Sequence, residues 1–206
     1  MEVNGSALAS RISYIKHRLL CEFLIFKDGM KKQRPYLIYP YKGRNILFLY
    51  TTYEAFIIHE VFHKEAYKKL NVNGMEVIDI GASVGDTAIY FMLNGAKNVI
   101  AYETSKERCA LALQNIALNH LEGAITILNQ EYKPSRSDAG KVFKIDCDGY
   151  EYGLLPLLRQ AKPKEIIMEY HQGSGAILSL LAAEYQIETI ERNSKERGML
   201  LLRRNR

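Results

Sequence analysis

The feature of this sequence that most constrains its fold is a regular alternation of short apolar segments and helical segments that begins after Gly74. The apolar segments have the length of buried strands, and the stretches between them carry helix start and stop signals. One helix is expected to end at Gly95, and the next to begin at a capping box of Thr104 and Glu107. Strands are expected over 76–80, 98–103, 124–128, 142–147, 165–170, 186–191 and 198–203. The alternation predicts an α/β protein with a doubly wound, mostly parallel seven-stranded sheet that helices cover on both faces.

The sequence before Gly74 has a different character. Its expected elements are a helix over 6–20, a hairpin of strands 36–41 and 45–50, and a helical stretch over 53–70. The first of these helices carries an apolar face, formed by Leu8, Ile12, Ile15 and Leu19. We therefore predict two domains, an N-terminal appendage over 1–73 on the substrate side and a sheet domain over 74–206.

The net charge of +5 is unevenly distributed between these two parts. Residues 1–73 carry 12 Lys/Arg against 6 Asp/Glu, or +6, whereas residues 74–206 carry 16 against 17, or −1. Around the hairpin, basic residues alternate with aromatic ones: Lys31, Lys32, Arg34, Lys42 and Arg44 lie among Tyr36, Tyr39, Tyr41, Phe48 and Tyr50. Such a surface could follow phosphates and stack bases, pack on sugar faces, or be a solvated hairpin with one apolar side.

Several classes of protein are disfavoured by the sequence. The longest nearly apolar stretch, 46–58, is too short for a membrane span and contains Glu54. The N-terminal segment lacks the apolar core of a secretory signal. The three cysteines, Cys21, Cys109 and Cys147, are scattered and form no disulfide or zinc spacing. A cytoplasmic protein is therefore expected, with its oligomeric state left open.

A glycine turn follows the first strand of the predicted sheet, where doubly wound folds bind their ligands. It reads Val77-Ile-Asp-Ile-Gly-Ala-Ser-Val-Gly85. The G-x-G-x-x-G dinucleotide fingerprint is absent, because Ser83 and Asp86 stand where it needs glycine, and Asp86 would repel a pyrophosphate. No G-K-[ST] follows, which argues against a P-loop. A positively charged nucleoside without phosphates, such as S-adenosylmethionine, fits this turn better.

Glu103 is expected at the end of the second strand, 22 residues after Gly81. A carboxylate in that place can accept hydrogen bonds from both ribose hydroxyls of a nucleoside. The alternative is that the glycines only make a tight turn and that Glu103 is a solvated acid. The further acids Asp79 and Asp146, each at a strand end, favour a ligand site.

Three motifs stand out along the chain. The first runs from His59-Glu-Val-Phe through Tyr67 and the glycine turn to Glu103. The second is Lys144-Ile-Asp-Cys-Asp-Gly-Tyr-Glu151, and the third is Ile166-Ile-Met-Glu-Tyr-His171. Together they resemble the FkbM family of class I methyltransferases, in which the second motif reads K-I-D-x-E-G-x-E and the third is a strand ending in E-x-H. Two positions depart from the family pattern, since Asp148 replaces the usual Glu and Thr104 replaces a frequent Pro.

The resemblance implies an enzyme that uses S-adenosyl-L-methionine. By position, Asp79, Gly81 and Gly85 would hold the methionine part, together with Ala82 and Ser83 of the same turn. Glu103 would hold the ribose, and Asn129 or Gln130 would lie beside the adenine. Asp146 and Asp148 would lie where the methyl group meets its acceptor. Asp146, Asp148 or His171 is expected to orient and deprotonate the acceptor.

The segment His59-Glu60-Val61-Phe62-His63 matches the H-E-x-x-H zinc motif literally. On a helix the two histidines share one face, but a catalytic zinc ion needs a third protein ligand. Neither the H-x-x-G-x-x-H extension nor a nearby glutamate helix follows in the sequence. Ordinary helix packing is the simpler interpretation, and no metal site is predicted.

The resemblance implies O-methylation of a sugar or of another small hydroxylated molecule. The basic N-terminal part keeps RNA methylation open as an alternative. A module that binds a nucleoside or RNA without turnover is an alternative of another class, and a zinc hydrolase is a more distant one.

Overall fold

The computed structural model describes the backbone of residues 3–51 and 53–205, with side chains from Ser13 onwards. The chain divides into two compact units, Met1–Ala66 and Tyr67–Arg206. The second unit therefore begins seven residues before the boundary expected at Gly74. Residues 67–73, which this boundary adds to the second unit, form hydrogen bonds with the rest of it. The Tyr67 hydroxyl donates to Asp146, and the Asn71 backbone N–H donates to Glu165.

The first unit combines helices with a small antiparallel sheet. Its elements are α1 (Val3–Lys27), β1 (Lys31–Gln33), β2 (Tyr36–Tyr41), β3 (Arg44–Leu49), α2 (Glu54–Ile58) and a π-helical turn (His59–His63). The β2–β3 hairpin was predicted, and its two-residue turn uses positive φ at Lys42 and Gly43. The second helical stretch ends at His63 rather than Leu70, because Glu65 adopts a positive φ of 52°.

The helix α1 is longer than predicted and only part of its expected apolar face can be assessed. The side chains of Leu8 and Ile12 lie outside the described residues. Ile15 and Leu19 are exposed, by 56% and 65% respectively. The face that the sequence pattern indicated is therefore not buried at these two positions.

The aromatic side chains of the hairpin form part of the core of the first unit. Tyr39 and Tyr41 are buried and Phe48 is fully buried. Tyr41 and Phe48 both contact Phe62 edge-on, with ring centroids 5.3 and 5.8 Å apart. These three rings cannot stack on bases or sugars, because alternate strand residues point inward and the hydrophobic effect keeps them there. The basic side chains of the hairpin remain exposed, which is the arrangement of a solvated hairpin with one apolar side.

The second unit is a three-layer α/β structure. Its elements are β4 (Glu76–Ile80), α3 (Asp86–Leu93), β5 (Asn98–Tyr102), α4 (Lys106–Leu118), β6 (Ile125–Leu128), β7 (Val142–Ile145), α5 (Glu151–Ala161), β8 (Glu165–Tyr170), α6 (Gly175–Leu181), β9 (Tyr185–Arg192) and β10 (Gly198–Arg204). The strand order is β6-β5-β4-β7-β8-β10-β9. Strands β4 to β8 are mutually parallel, and β10 is antiparallel to both of its neighbours. The predicted doubly wound, mostly parallel seven-stranded sheet is confirmed.

The start of α4 differs from the prediction. Ser105, not Thr104, caps the helix, and its hydroxyl accepts the backbone N–H of Arg108 at 3.2 Å. The predicted capping box of Thr104 and Glu107 is therefore wrong. The Glu103 carboxylate accepts the backbone N–H of Ser105, which places the cap one residue further along the chain.

The order of the strands reverses beside β4. The chain passes from β4 to β5 and β6 on one side, and then returns to β7 on the other side. In this register Ile80 pairs with both Tyr102 and Ile145. The carboxyl ends of β4, β5 and β7 therefore lie side by side at the point where doubly wound sheets bind ligands. Within the ranges that the structure describes, no helix has the length and hydropathy needed to cross a bilayer.

Candidate active site

The glycine turn after β4 packs against the ends of both neighbouring strands. The backbone N–H groups of Gly81 and Ala82 donate to the carbonyl oxygen of Tyr102 at 2.9 and 3.0 Å. Gly81 has a φ of 82°, and a Cβ atom there would lie 1.8 Å from the carbonyl oxygen of Asp146. Only glycine is compatible with this approach. Gly85 also has a φ of 82°, but an added Cβ would approach Ala112 of α4 at 3.2 Å.

Glu103 connects the glycine turn to the beginning of α4. One carboxylate oxygen accepts the backbone N–H of Ser83 at 3.0 Å, and the other accepts that of Ser105 at 2.8 Å. The side chain is buried except for a small surface that lines the cavity beside β5. Each carboxylate oxygen can accept a second hydrogen bond, so Glu103 is held rigidly while it keeps acceptor capacity for a ligand.

A cavity of about 430 Å³ opens between the glycine turn and the ends of β5 and β7. Six of the residues proposed from sequence line it: Gly81, Ser83, Glu103, Gln130, Asp146 and Asp148. The lining also includes residues that were not proposed as site residues from the sequence, namely Ile80, Tyr102, Thr104, Arg108, Glu131, Tyr132, Cys147, Tyr150 and Leu154. A volume in this range suits a small organic ligand.

Five of the residues proposed from sequence do not line this cavity: Asp79, Ala82, Gly85, Asn129 and His171. The side-chain amide of Asn129 donates to the carbonyl oxygens of Glu103 and Thr104, so it holds the chain after β5. Ala82 is fully buried within the turn, and Gly85 packs on α4.

Asp79 supports the glycine turn from inside the protein. It is fully buried, accepts a hydrogen bond from Thr87, and lies 3.1 Å from the ammonium of Lys144. The same ammonium donates to the carbonyl oxygen of Gly81 at 2.6 Å. Burial raises the pKa of Asp79 despite the nearby Lys144. Burial lowers the pKa of Lys144, but the carboxylates of Asp79, Asp146 and Asp86 outweigh it and raise that pKa above its usual value.

Asp146 is the first residue after β7 and is half-buried at the edge of the cavity. Its backbone N–H donates to the carbonyl oxygen of Ile80 at 3.1 Å. Its side chain accepts a hydrogen bond of 3.2 Å from the hydroxyl of Tyr67. Burial and the negative charge of Asp146 raise the pKa of Tyr67 well above its usual value, so Tyr67 is a permanent donor. The backbone position of Asp146 and one of its side-chain contacts are thus fixed.

His171 lies after β8 and is held by Glu151, the fully buried first residue of α5. Glu151 accepts the backbone N–H of His171 at 2.7 Å and lies 2.9 Å from its Nδ1. The other oxygen of Glu151 accepts the backbone N–H of Gly149 at 2.8 Å. Asp148 and Gly149 both have positive φ, which gives the loop after β7 a tight bend. Glu151 is therefore a bracing residue for both loops.

Glu169 is a residue of this edge that the sequence did not single out. Its carboxylate lies 3.6 Å from Nε2 of His171. Burial, with a further contribution from Asp146, raises the pKa of Glu169 to about 7. One donor atom each from Asp146, Glu169 and His171 lies within 4.8 Å of the others. The E-x-H motif at the end of β8 contains both Glu169 and His171, so this motif could have indicated Glu169 as a residue of the edge.

Cys147 does not have the environment of a nucleophile. Burial and the neighbouring Glu151 raise the pKa of its thiol to about 12. A thiol with such a pKa is protonated near neutral pH.

The second unit has the fold of the class I S-adenosylmethionine-dependent methyltransferases. TrmK from M. capricolum, solved in complex with S-adenosyl-homocysteine, is 18% identical with a TM-score of 0.57, and the match covers 70% of this chain and 69% of TrmK. A ribosomal protein L11 methylase from Lactobacillus delbrueckii subsp. bulgaricus is 25% identical with a TM-score of 0.52, over 67% of this chain and 74% of the methylase. The complex of aTrm5 with tRNALeu gives 15% identity and a TM-score of 0.54, over 84% of this chain and 54% of aTrm5.

Sequence comparison finds similarity to two viral proteins. Protein 158B of Sulfolobus islandicus rod-shaped virus 1 is 27% identical over 89 residues, which are 43% of this chain and 56% of that protein. Protein 65 of a Sulfolobus islandicus filamentous virus is 29% identical over 89 residues, 43% of this chain and 55% of that protein. The matched part of this chain thus spans about half the length of these curated relatives. No protein-family model matches the chain.

Proposed function

We propose that this chain is an S-adenosylmethionine-dependent methyltransferase whose cofactor binds in the cavity at the ends of β4, β5 and β7. The observation that carries this proposal is the arrangement of Gly81 and Glu103 on one side of that cavity. Gly81 leaves no side chain between the turn and Asp146, and Glu103 presents a carboxylate with unused lone pairs. Two ribose hydroxyls are suitable donors for this carboxylate.

The charges that surround the cavity support a cationic nucleoside. Its lining contains four acids, Glu103, Glu131, Asp146 and Asp148, whereas Arg108 is the one basic side chain among the residues described there. A dinucleotide would bring phosphates into this negative environment, which opposes its binding. Gln130 is the residue we assign to the adenine. Asp79, Ala82 and Gly85 act indirectly, by holding the shape of the turn.

The chemistry that this cofactor supplies when bound is a methyl group on a positively charged sulfur. The chain has to align an acceptor and remove its proton. We assign both tasks to Asp146, because it lines the cavity and is fixed by Tyr67 and by the backbone of Ile80. Asp148, on the same loop, is the alternative. His171 is engaged by Glu151 and lies outside the cavity lining, so we assign it a supporting role.

The acceptor we propose is a hydroxyl group of a sugar or of another small molecule. The three motifs that resemble the FkbM family support this choice. RNA is the second candidate, and a separate observation supports it. The hairpin residues Lys31, Arg34, Lys42 and Arg44 are exposed, and one structure of similar fold is a complex with tRNALeu. Three neighbouring aromatic residues, Tyr39, Tyr41 and Phe48, are buried and cannot stack on bases, whereas Tyr36 and Tyr50 are half-buried, so the surface that would strengthen the RNA hypothesis is reduced.

Calorimetric titration with S-adenosyl-homocysteine and with NAD tests the cofactor, and transfer of a labelled methyl group to glycan and RNA fractions tests the reaction. We expect binding of the first ligand, much weaker binding of NAD, and label transfer that Asp146→Asn abolishes while binding persists. Loss of transfer in Asp148→Asn alone would move the role to that residue. Binding without transfer to any fraction would support a non-catalytic binding module, and no binding would contradict the proposal.

A further inference from the structure

The H-E-x-x-H segment of the first unit lies beside a third metal-binding side chain that the sequence does not reveal. His59 and His63 form the two ends of the π-helical turn, and Asp28 follows the last residue of α1. One donor atom each from Asp28, His59 and His63 lies within 4.8 Å of the others. A third ligand was the element missing from the sequence motif, and the fold supplies it from 31 residues upstream.

The distances between these side chains are close to those around a metal ion. Nε2 of His63 lies 3.5 Å from Oδ1 of Asp28, and Nδ1 of His59 lies 2.6 Å from Oδ2. In a tetrahedral zinc site, bonds of about 2.0–2.1 Å place the ligand atoms roughly 3.3 Å apart. The first distance already matches this value. The second joins His59 to the other carboxylate oxygen, and this hydrogen bond has to be given up when His59 turns to an ion held at Oδ1.

Burial provides an independent reason to expect a ligand. The Asp28 side chain is completely buried, and its Oδ1 accepts no hydrogen bond from the residues that the structure describes. An unpaired buried carboxylate oxygen is costly in free energy, and among the described ion pairs only His59 and His63 approach Asp28. A dication bound at Oδ1 would remove this cost. His63 is 41% exposed, which gives an ion and a water ligand access from solvent.

The surroundings of His63 favour the required orientation of its ring. The hydroxyl of Tyr39, a buried residue, lies 3.4 Å from Nδ1 of His63, so Nε2 faces Asp28. Hydrogen bonding to the outer nitrogen is the usual way in which proteins orient a metal-binding histidine. The rings of His59 and His63 are stacked, with centroids 5.3 Å apart and an interplanar angle of 19°.

The same geometry argues against a zinc hydrolase. In that mechanism the glutamate of H-E-x-x-H acts as general base at the metal. Here the Glu60 carboxylate is paired with Lys64 at 2.6 Å, one helical turn along the chain. The site thus has ligands for an ion but no base directed towards it.

We propose that Asp28, His59 and His63 bind one divalent transition-metal ion, with zinc as its occupant, and that the ion links the end of α1 to the π-helical turn. Two imidazoles and one carboxylate are a donor set for zinc and its first-row neighbours, whereas magnesium and calcium prefer oxygen ligands. The fourth position is left to water on the exposed side of His63. This site is independent of the methyltransferase function proposed above, and it replaces the expectation of no metal that the sequence supported.

Metal titration of the full chain tests this proposal. After chelator treatment and dialysis, the protein is titrated with zinc by calorimetry and with cobalt by visible absorption. We expect one equivalent of each ion, a rise in melting temperature of several degrees with zinc, and no such rise with magnesium. Affinity for zinc should fall at least tenfold in His63→Gln, whose half-exposed side chain can be changed without loss of the fold, and in Asp28→Asn.

Two control variants separate this site from other sources of metal binding. His120→Gln alters an exposed histidine of the second unit, and Glu60→Gln alters the motif's glutamate without touching a proposed ligand. Both should keep the affinity for zinc. The proposal is overturned if the stripped chain binds no zinc, or if His63→Gln binds zinc as tightly as the unaltered chain. In either case Asp28, His59 and His63 form a hydrogen-bonded cluster only.

Discussion

Gly81 and Glu103 shape the cavity in different ways. Gly81 acts through the side chain it lacks, because its backbone approaches the Asp146 carbonyl more closely than any Cβ atom allows. Glu103 acts through a carboxylate that backbone N–H groups on two segments hold in place. Neither role requires movement of the residue when a ligand binds. The site is in this respect preorganised.

A substitution at Glu103 should weaken binding of S-adenosyl-homocysteine, the form that the cofactor takes after it has given up its methyl group. For Glu103→Ala we expect a loss of about 1–3 kcal/mol in the affinity for S-adenosyl-homocysteine, because charge-assisted hydrogen bonds to the ribose are lost. Calorimetry provides the measurement, and Glu122→Gln, an exposed acid beyond α4, is the control. Unchanged affinity in Glu103→Ala would remove this residue from the ribose site.

Alanine should be tolerated very differently at two glycines of the second unit. Gly81→Ala places a Cβ atom 1.8 Å from a backbone oxygen at a φ of 82°, so we expect a loss of roughly 2–4 kcal/mol in unfolding free energy. A Cβ at Gly123 meets no atom within 4 Å, and Gly123→Ala should change stability by about 0.5 kcal/mol or less. Urea denaturation of both variants tests this contrast. Equal stabilities would show that the turn can relax around a side chain.

At the scale of elements, β4, α3 and β7 share a buried group of charges beneath the glycine turn. Lys144 on β7 lies beside Asp79 on β4, and its charge also acts on Asp86, the first residue of α3. The ammonium group of Lys144 is therefore the nearby positive charge for two buried carboxylates. Oδ1 of Asp86 has no hydrogen-bond partner in the described structure. Among the described ion pairs, Lys144 pairs with Asp79 at 3.1 Å and none involves Asp86, so the negative charge of Asp86 is the less compensated of the two.

The pH dependence of the free energy of unfolding should reveal the ionisation of the buried Asp86 carboxyl group. Burial raises its pKa from 3.8 to about 7 in the folded protein. Below pH 3.8 the carboxyl group is protonated in both the folded and the unfolded state. Between pH 3.8 and about pH 7 the carboxyl ionises in the unfolded chain but stays protonated in the folded protein, so the stability of the fold decreases as pH rises. Above about pH 7 Asp86 is ionised in both states, and the full free-energy cost of its buried charge is present.

The variant Asp86→Asn removes this ionisation. We expect it to be more stable than the unaltered chain at pH 8, by up to a few kcal/mol, and to lose most of that advantage at pH 5. Thermal unfolding at both values provides the comparison. A difference that is the same at the two pH values would mean that Asp86 is ionised in the folded state.

At the scale of the whole molecule, the positive charge is concentrated in the N-terminal part of the chain. Residues up to position 73 hold a charge of +6, whereas the remainder of the chain holds −1. The sheet unit supplies the proposed cofactor cavity, and the first unit supplies exposed basic residues on its hairpin and the proposed metal site. Because of this distribution, the dependence of methylation on ionic strength can distinguish an RNA acceptor from a small-molecule acceptor.

Charge reversal on the hairpin separates the two acceptor classes. RNA affinity falls with salt with a log–log slope of about −0.7 per phosphate neutralised on a single strand. For a small hydroxylated acceptor, changing Lys31, Arg34, Lys42 and Arg44 to Glu should leave methylation unaltered at moderate salt. The control reverses four exposed basic residues of the second unit, Lys68, Lys162, Arg192 and Lys195. RNA methylation that the hairpin variant loses, with a flattened salt slope, would favour RNA over the small molecule.

The sequence by itself determined the sheet, the position of the glycine turn and the acid after β5. These features follow from local information, since strand–helix alternation, glycine spacing and strand ends can all be recognised within short segments. For the same reason, Gly81, Glu103 and Asp146 could be assigned to one edge of the sheet before their distances were known.

Only the tertiary structure decided which polar residues line the cavity and which brace it. Asp79 and Asp146 both belong to strand-end motifs, but the inward-pointing Lys144 engages Asp79, while Asp146 lines the cavity. Asp28 meets His59 and His63 because the chain turns back after α1, and no spacing in the sequence encodes that approach. The inward direction of the hairpin tyrosines likewise depends on Phe62, a residue of the π-helical turn. Contacts between residues distant in sequence arise from packing, and packing is what the local pattern leaves undetermined.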